Sequence, residues 1–258
     1  MRICWFTTGR DNEAFTLFRD VLAATDAGVI EGAVTSVFLN RESGESAHAD
    51  AIITLAEARA IPVETLGTKK FLESRGLGLD AGRGLFDAEV YGRIRRFGFD
   101  VIFLAGYMLI LSPVLFDAFP VLNIHPSLPG AYKGKWEDVI NRTIDDGKRT
   151  FGAMTHMVEA VLDEGAPVAF VRVTLEGPEI EELYGRAKRG DEGARGKLFG
   201  IVRAREFEVE TPLIIQTLAL LSKGVLEIRK KRVFFKGKEV RGGMDITTEV
   251  ERWLATRT

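Results

Sequence analysis

Over the first 175 residues, short apolar runs alternate with amphipathic stretches. Arg2–Thr7, Gly32–Leu39 and Asp100–Gly106 are almost continuously apolar, which is the pattern of strands covered on both faces. Between them, Glu13–Ala24 places Phe15, Phe18, Val21 and Leu22 at helical spacing. A second helix is expected over Ala51–Arg59 after a polar loop, Asn40–Ala47, and a third over Leu85–Phe97. Ile61-Pro62-Val63 starts a short strand, Ser112-Pro113 opens a short helix, and Val121–His125 is a fifth strand. Strand–helix alternation of this kind predicts a parallel sheet with right-handed crossovers. Lys69–Gly84 is glycine-rich and reads as an irregular loop. Its Gly76-Leu77-Gly78-Leu79-Asp80-Ala81 has the spacing of a dinucleotide fingerprint, but no strand leads into it, so it is set aside.

Farther on, Trp136–Gly147 reads as a helix, Phe151–Val158 as a strand with Thr155 and His156 on opposite faces, Ala160–Gly165 as a turn, and Pro167–Leu175 as a strand. Glu176–Gly200 is charged and glycine-rich, the composition of a mobile loop with a short helix. Ile201–Ser222 is helix-like, Leu226–Val240 a β-hairpin turning at Lys236-Gly237-Lys238, and 244–258 a peripheral helix. The expected architecture is α/β. An open, mostly parallel, Rossmann-like sheet with helices on both faces spans 1–175, and a C-terminal helix and hairpin over 176–258 pack on the same domain.

Composition narrows the setting. The chain has 258 residues, 46% apolar and 28% charged, enough for a sizeable core. A net charge of -2 gives no general reason to expect nucleic acid or an anionic membrane as partner. The single cysteine, Cys4, rules out a disulfide framework within the chain and a cysteine-based zinc site; no metal is expected. Arg10, Asp11 and Glu13 interrupt the apolar start, unlike a secretory leader, and no apolar run reaches the roughly 18 residues of a membrane span. A cytoplasmic protein is the expectation, with monomer or homodimer left open.

The chemistry centres on Leu122-Asn123-Ile124-His125-Pro126-Ser127-Leu128-Pro129. Asn123 and His125 lie two apart on a strand and so share a face, while Pro126 ends the strand. An amide and an imidazole there, with a carboxylate from Asp163 downstream, suit attack on a carbonyl: donors stabilise the developing oxyanion and a carboxylate accepts the proton of an attacking amine. Ser127 lacks the glycine-flanked setting of an activated nucleophile, so direct transfer fits better than a covalent intermediate. The turn Thr8-Gly9-Arg10-Asp11-Asn12 precedes a helix N-terminus, where an anion or an ordinary cap is accommodated.

Three segments, in this order, resemble the folate-dependent formyltransferases. They are Leu104-Ala105-Gly106-Tyr107-Met108-Leu109-Ile110-Leu111-Ser112, the Asn-x-His-Pro-Ser signature at 123–127, and Gly152–Val168 with His156 and Asp163 seven apart. The branch resembled most formylates glycinamide ribonucleotide in purine synthesis. The resemblance implies 10-formyltetrahydrofolate as formyl donor and a primary amine as acceptor. It makes Asn123, His125 and Asp163 the catalytic residues. Tyr107, Met108, Leu109, Ile110, Leu111, Val161 and Leu162 would border the folate. Gly9, Arg10, Asp11, Asn12 and Arg83 would meet the acceptor's phosphate, and Glu206 or Glu208 its amine side. Ser127 would support the site; His156 either supports it or is a core histidine. The phosphate loop lacks the family's second glycine, and Leu109 replaces an arginine. Other readings are a formyltransferase for a sugar nucleotide or methionyl-tRNA, a formyltetrahydrofolate hydrolase, and a non-catalytic folate- or nucleotide-binding protein.

Overall fold

The computed structural model describes residues 1–256. Two compact units are present. The first comprises Met1–Asn123, Met157–Val161 and Leu218–Leu226; the second comprises Ile124–His156, Leu162–Thr217 and the chain from Glu227 on.

The first unit holds strands β1 (Arg2–Thr7), β2 (Ala33–Leu39), β3 (Val63–Thr65), β4 (Val101–Leu104) and most of β5 (Val121–His125), in the order β3-β2-β1-β4-β5, with every pairing parallel. Its helices are α1 (Asn12–Asp26), α2 (Ala47–Ala58), α3 (Thr68–Glu73), α4 (Leu79–Ile94) and the short α5 (Pro113–Phe116). Strand alternation sorts the core into two layers. Trp5 stacks on Phe103 at 5.5 Å and meets Phe18 of α1 at 5.9 Å. Cys4, Phe6, Ile102 and Leu104 instead pack with Phe86, Val90 and Ile94 of α4. Helices therefore cover both faces, as expected, and β1 and β4 are buried from end to end apart from Arg2. Each large side chain so buried is worth roughly 1.5–3 kcal/mol.

The second unit holds the end of β5, α6 (Trp136–Asp145), β6 (Thr150–Met157), β7 (Pro167–Thr174), α7 (Pro178–Lys188) and α8 (Glu192–Ser222) as far as Thr217. Beyond it come β8 (Leu226–Arg229), β9 (Arg232–Phe235), β10 (Lys238–Glu239), β11 (Met244–Asp245) and α9 (Thr247–Ala255). Here β6 and β7 are antiparallel, and β11 joins β7 in parallel. The open, mostly parallel α/β sheet and the C-terminal antiparallel hairpin are both present.

Several boundaries differ from the sequence reading. The supposed loop 69–84 holds α3 and the start of α4, and Gly82 lies inside α4 because a Cβ there would sit 2.2 Å from Leu72 Cδ2. Close helix packing outweighs the cost of glycine, about 1 kcal/mol. Helix α2 starts at Ala47, capped by Ser46. The stretch 176–200 is helical over most of its length. Apolar Leu183, Tyr184, Ala194 and Leu198 from α7 and α8 form one core with Ile140, Ile144 and Phe151, which its high charge content hid. The hairpin has an extra turn at Lys230-Lys231, making three strands. The peripheral helix begins at Thr247, and residues 257 and 258 of that expectation lie outside the described residues.

Candidate active site

Pro126 ends β5, and the chain then folds back on itself. Ser127 N–H donates to His125 O at 2.8 Å and Ala131 N–H to Leu128 O at 3.0 Å. The Ser127 hydroxyl accepts from Tyr132 N–H at 2.9 Å. This turn brings the Tyr132 carbonyl to 3.0 Å from His125 Nε2. A carbonyl only accepts, so Nε2 carries the proton and Nδ1 is the nitrogen left for other work. Ser127 is thus committed to the turn.

Asp163 follows on the turn after β6. It sits in the left-handed backbone region, φ 56°, which aspartate tolerates better than most residues. Its Oδ2 accepts Gly134 N–H at 3.0 Å and lies 3.7 Å from His125 Nδ1. Its Oδ1 lies 3.6 Å from His156 Nε2. Both separations exceed a hydrogen bond yet leave each imidazole next to the carboxylate. The side chains of His125, His156 and Asp163 are 4%, 2% and 5% exposed, so solvent screens them little. The two rings stand edge to face, 6.1 Å between centroids. Of three histidines in the chain, two therefore converge on one carboxylate. Asn123 pairs with Leu104 across β4 and β5 and precedes His125 by two along the strand.

In the first unit, the turn 8–12 meets the segment after β4. Thr8 N–H donates to Gly106 O at 3.1 Å, and Thr8 Oγ1 accepts from Met108 N–H at 2.9 Å. Gly9 has φ 57°, and a Cβ there would lie 2.7 Å from Ala49 Cα, so only glycine fits. Asp11 caps α1: its Oδ1 accepts Ala14 N–H at 3.0 Å, while Oδ2 pairs with Arg10 at 2.9 Å. Along 107–111, Tyr107 and Leu111 point into the core, whereas Met108 and Ile110 are half-exposed. Val161 and Leu162 are likewise half-exposed. Arg83 pairs with Asp80 at 2.9 Å.

The two glutamates left open by sequence part company. Glu208 is exposed and pairs with Arg205 at 2.8 Å. Glu206 is fully buried, and neither of its oxygens has a hydrogen-bond partner among the described residues. Burial, then the neighbouring Glu210, push its carboxyl up to about 9. Sequence reasoning missed the Tyr132 carbonyl and the Gly134 amide. Neither has a sequence signal, because every residue carries these groups. A cavity of about 460 Å³ borders Pro126, Ser127, Leu128 and Phe151, but none of the three converging side chains lines it. Among the described residues no acidic, histidine or cysteine cluster suited to a metal occurs, and no helix is long and apolar enough to cross a membrane.

The folds that share this open α/β arrangement include a glycinamide ribonucleotide transformylase from Symbiobacterium toebii, with TM-score 0.67 at 24% identity over 91% of this chain and 93% of that one. At the sequence level, the formyl transferase family model matches residues 1–192. The chain belongs to this family and, as its motifs indicated, is a folate-dependent formyltransferase. It is 33% identical to phosphoribosylglycinamide formyltransferase of Schizosaccharomyces pombe over 63% of this chain and 80% of the relative. It is 27% identical to the Haemophilus influenzae enzyme of the same name over 86% and 90%.

Proposed function

We propose that the chain transfers a formyl group from 10-formyltetrahydrofolate to the amine of glycinamide ribonucleotide, in purine biosynthesis, by direct attack. The observation that carries this reading is the buried Asp163 facing His125 and His156 at 3.7 and 3.6 Å. Binding alone has no use for a carboxylate held between two imidazoles; moving an amine proton beside a forming oxyanion does. The relatives' shared name supports this choice of acceptor.

In this mechanism Asn123 and His125 polarise the formyl oxygen as the amine nitrogen bonds to its carbon. Asp163 accepts the amine's proton, which is then returned to the folate nitrogen as the carbon–nitrogen bond to the donor breaks. His156 is a positioning residue that holds the second oxygen of Asp163. Tyr107–Leu111, with Val161 and Leu162, offer apolar side chains and backbone to a planar folate ring. Gly9, Arg10, Asp11, Asn12 and Arg83 are assigned to the acceptor's phosphate, and Glu206 or Glu208 to its amine.

The test mixes purified protein with both substrates and follows tetrahydrofolate release. Turnover that requires the amine is expected. Turnover without any amine makes the protein a hydrolase, and no turnover with a panel of phosphorylated and sugar amines leaves a binding protein.

A further inference from the structure

One buried carboxylate in the first unit has no part in the chemistry above. Asp87 lies on the apolar stripe of α4 with Phe86, Val90 and Ile94 and is 2% exposed. A stripe built only for packing would carry a leucine there. Asp87 Oδ2 instead accepts the N–H of Ser112 at 2.5 Å. Ser112 is where the 107–111 segment turns into α5, just before Pro113, and its side chain makes no cap hydrogen bond. At the other end of the segment, the Tyr107 ring is buried against Phe6 and Phe38, 5.4 and 6.3 Å away, and its hydroxyl has no hydrogen-bond partner among the described residues. Asp87 acts on that hydroxyl too: its charge adds to burial in pushing the phenol well up. Burial raises the Asp87 carboxyl, and the Ser112 hydrogen bond and the charge of Arg83 draw it back. The contact that holds the segment is therefore the one at its Ser112 end.

We propose that Asp87 is a positioning residue for the donor side of the reaction, pinning the Ser112 end of 107–111 so that Tyr107 and Leu111 stay inward and Met108 and Ile110 outward. This rests on the reading that the segment borders the folate. A donor site assembled from backbone needs that backbone held, and a hydrogen bond to a buried carboxylate is the stronger, charge-assisted kind.

Hydrogen–deuterium exchange of residues 107–115 tests the contact without reference to activity, and steady-state kinetics tests its purpose. Asp87→Ala is expected to speed exchange at the Ser112 amide and raise KM for 10-formyltetrahydrofolate about tenfold, with kcat within about threefold. Asp87→Asn, which keeps an acceptor oxygen, restores both to within about twofold of the parent. Ser112→Pro removes the donor and is expected to raise the same KM; Ser112→Ala keeps the amide and leaves that KM unchanged. Should Asp87→Ala not fold, Ser112→Pro decides: an unchanged KM overturns the proposal. Unchanged exchange in Asp87→Ala also overturns it, as does a fall in kcat and melting temperature with KM unmoved. If wild-type protein binds no tetrahydrofolate in a titration, the functional reading falls and the assignment of Asp87 to the donor side falls with it. Exchange that stays slow while the wild type turns over removes the Asp87 proposal alone.

Discussion

Asp163 and Glu206 are both carboxyl groups buried in the second unit, and their surroundings are opposite. Asp163 receives a backbone N–H at 3.0 Å and has two imidazoles within 3.7 Å. Glu206 has no hydrogen bond to either oxygen; its one nearby cation, Arg203, already pairs with Glu210 at 2.8 Å. The first is surrounded by groups that can give and take protons. The second keeps its own proton up to about pH 9 because burial, and then the nearby Glu210, disfavour its charged form. The same functional group is thus flanked by a backbone donor and two imidazoles in one setting and left without a hydrogen bond in the other.

Removing the neighbours of Asp163 should have the largest effect. Asp163→Asn and His125→Ala are each expected to lower kcat by about 10²–10⁴-fold with the melting temperature little changed; rates within threefold of wild type would take them out of the mechanism. For Glu206 the expected signature is in pH dependence. Its carboxyl ionises near 4.5 in the unfolded chain and near 9 in the folded one. Stability from this group is therefore full below pH 4.5 and drains away as pH rises towards 9. Glu206→Gln should flatten that slope, so its advantage in melting temperature grows from pH 5 to pH 9, and it should raise KM for the amine about tenfold. A mutant curve parallel to wild type would remove Glu206 from both roles. His156→Gln should lower kcat by a smaller amount, about three- to tenfold, because Asp163 keeps its other partners. The smallest effect concerns Asp11, whose carboxylate occupies the N-terminus of α1. Asp11→Asn keeps the cap and removes the charge, so KM for a phosphorylated acceptor should fall about two- to fivefold; competition with inorganic phosphate reads the same change.

Legibility followed the kind of signal. The buried parallel strands β1, β2 and β4 stood out because a short, continuous apolar run bounded by turn residues fits little besides a strand covered on both faces. The helices α3 and α7, the start of α4 and the first part of α8 did not. Gly82 and Gly84 argue against a helix locally, and Glu179, Glu181 and Glu182 mask the apolar stripe of α7, so tertiary packing overrode composition. Among site residues, the motif residues were legible by type and spacing. Glu206 and Glu208 already face different ways on a helix, but which of them turns inward is decided only by what the helix packs against.

By itself, the sequence specified the alternation of strands and helices and named the amide, the imidazole and the carboxylate that the family's motifs require. Tertiary structure decided that Asp163 meets His125 and His156 together, that Asp11 caps α1, and that Glu206 lies dry. The reason is physical: these outcomes depend on ångström-scale distances set by turns, on backbone groups such as the Tyr132 carbonyl and Gly134 amide, and on burial. None of these is written in the type of a residue.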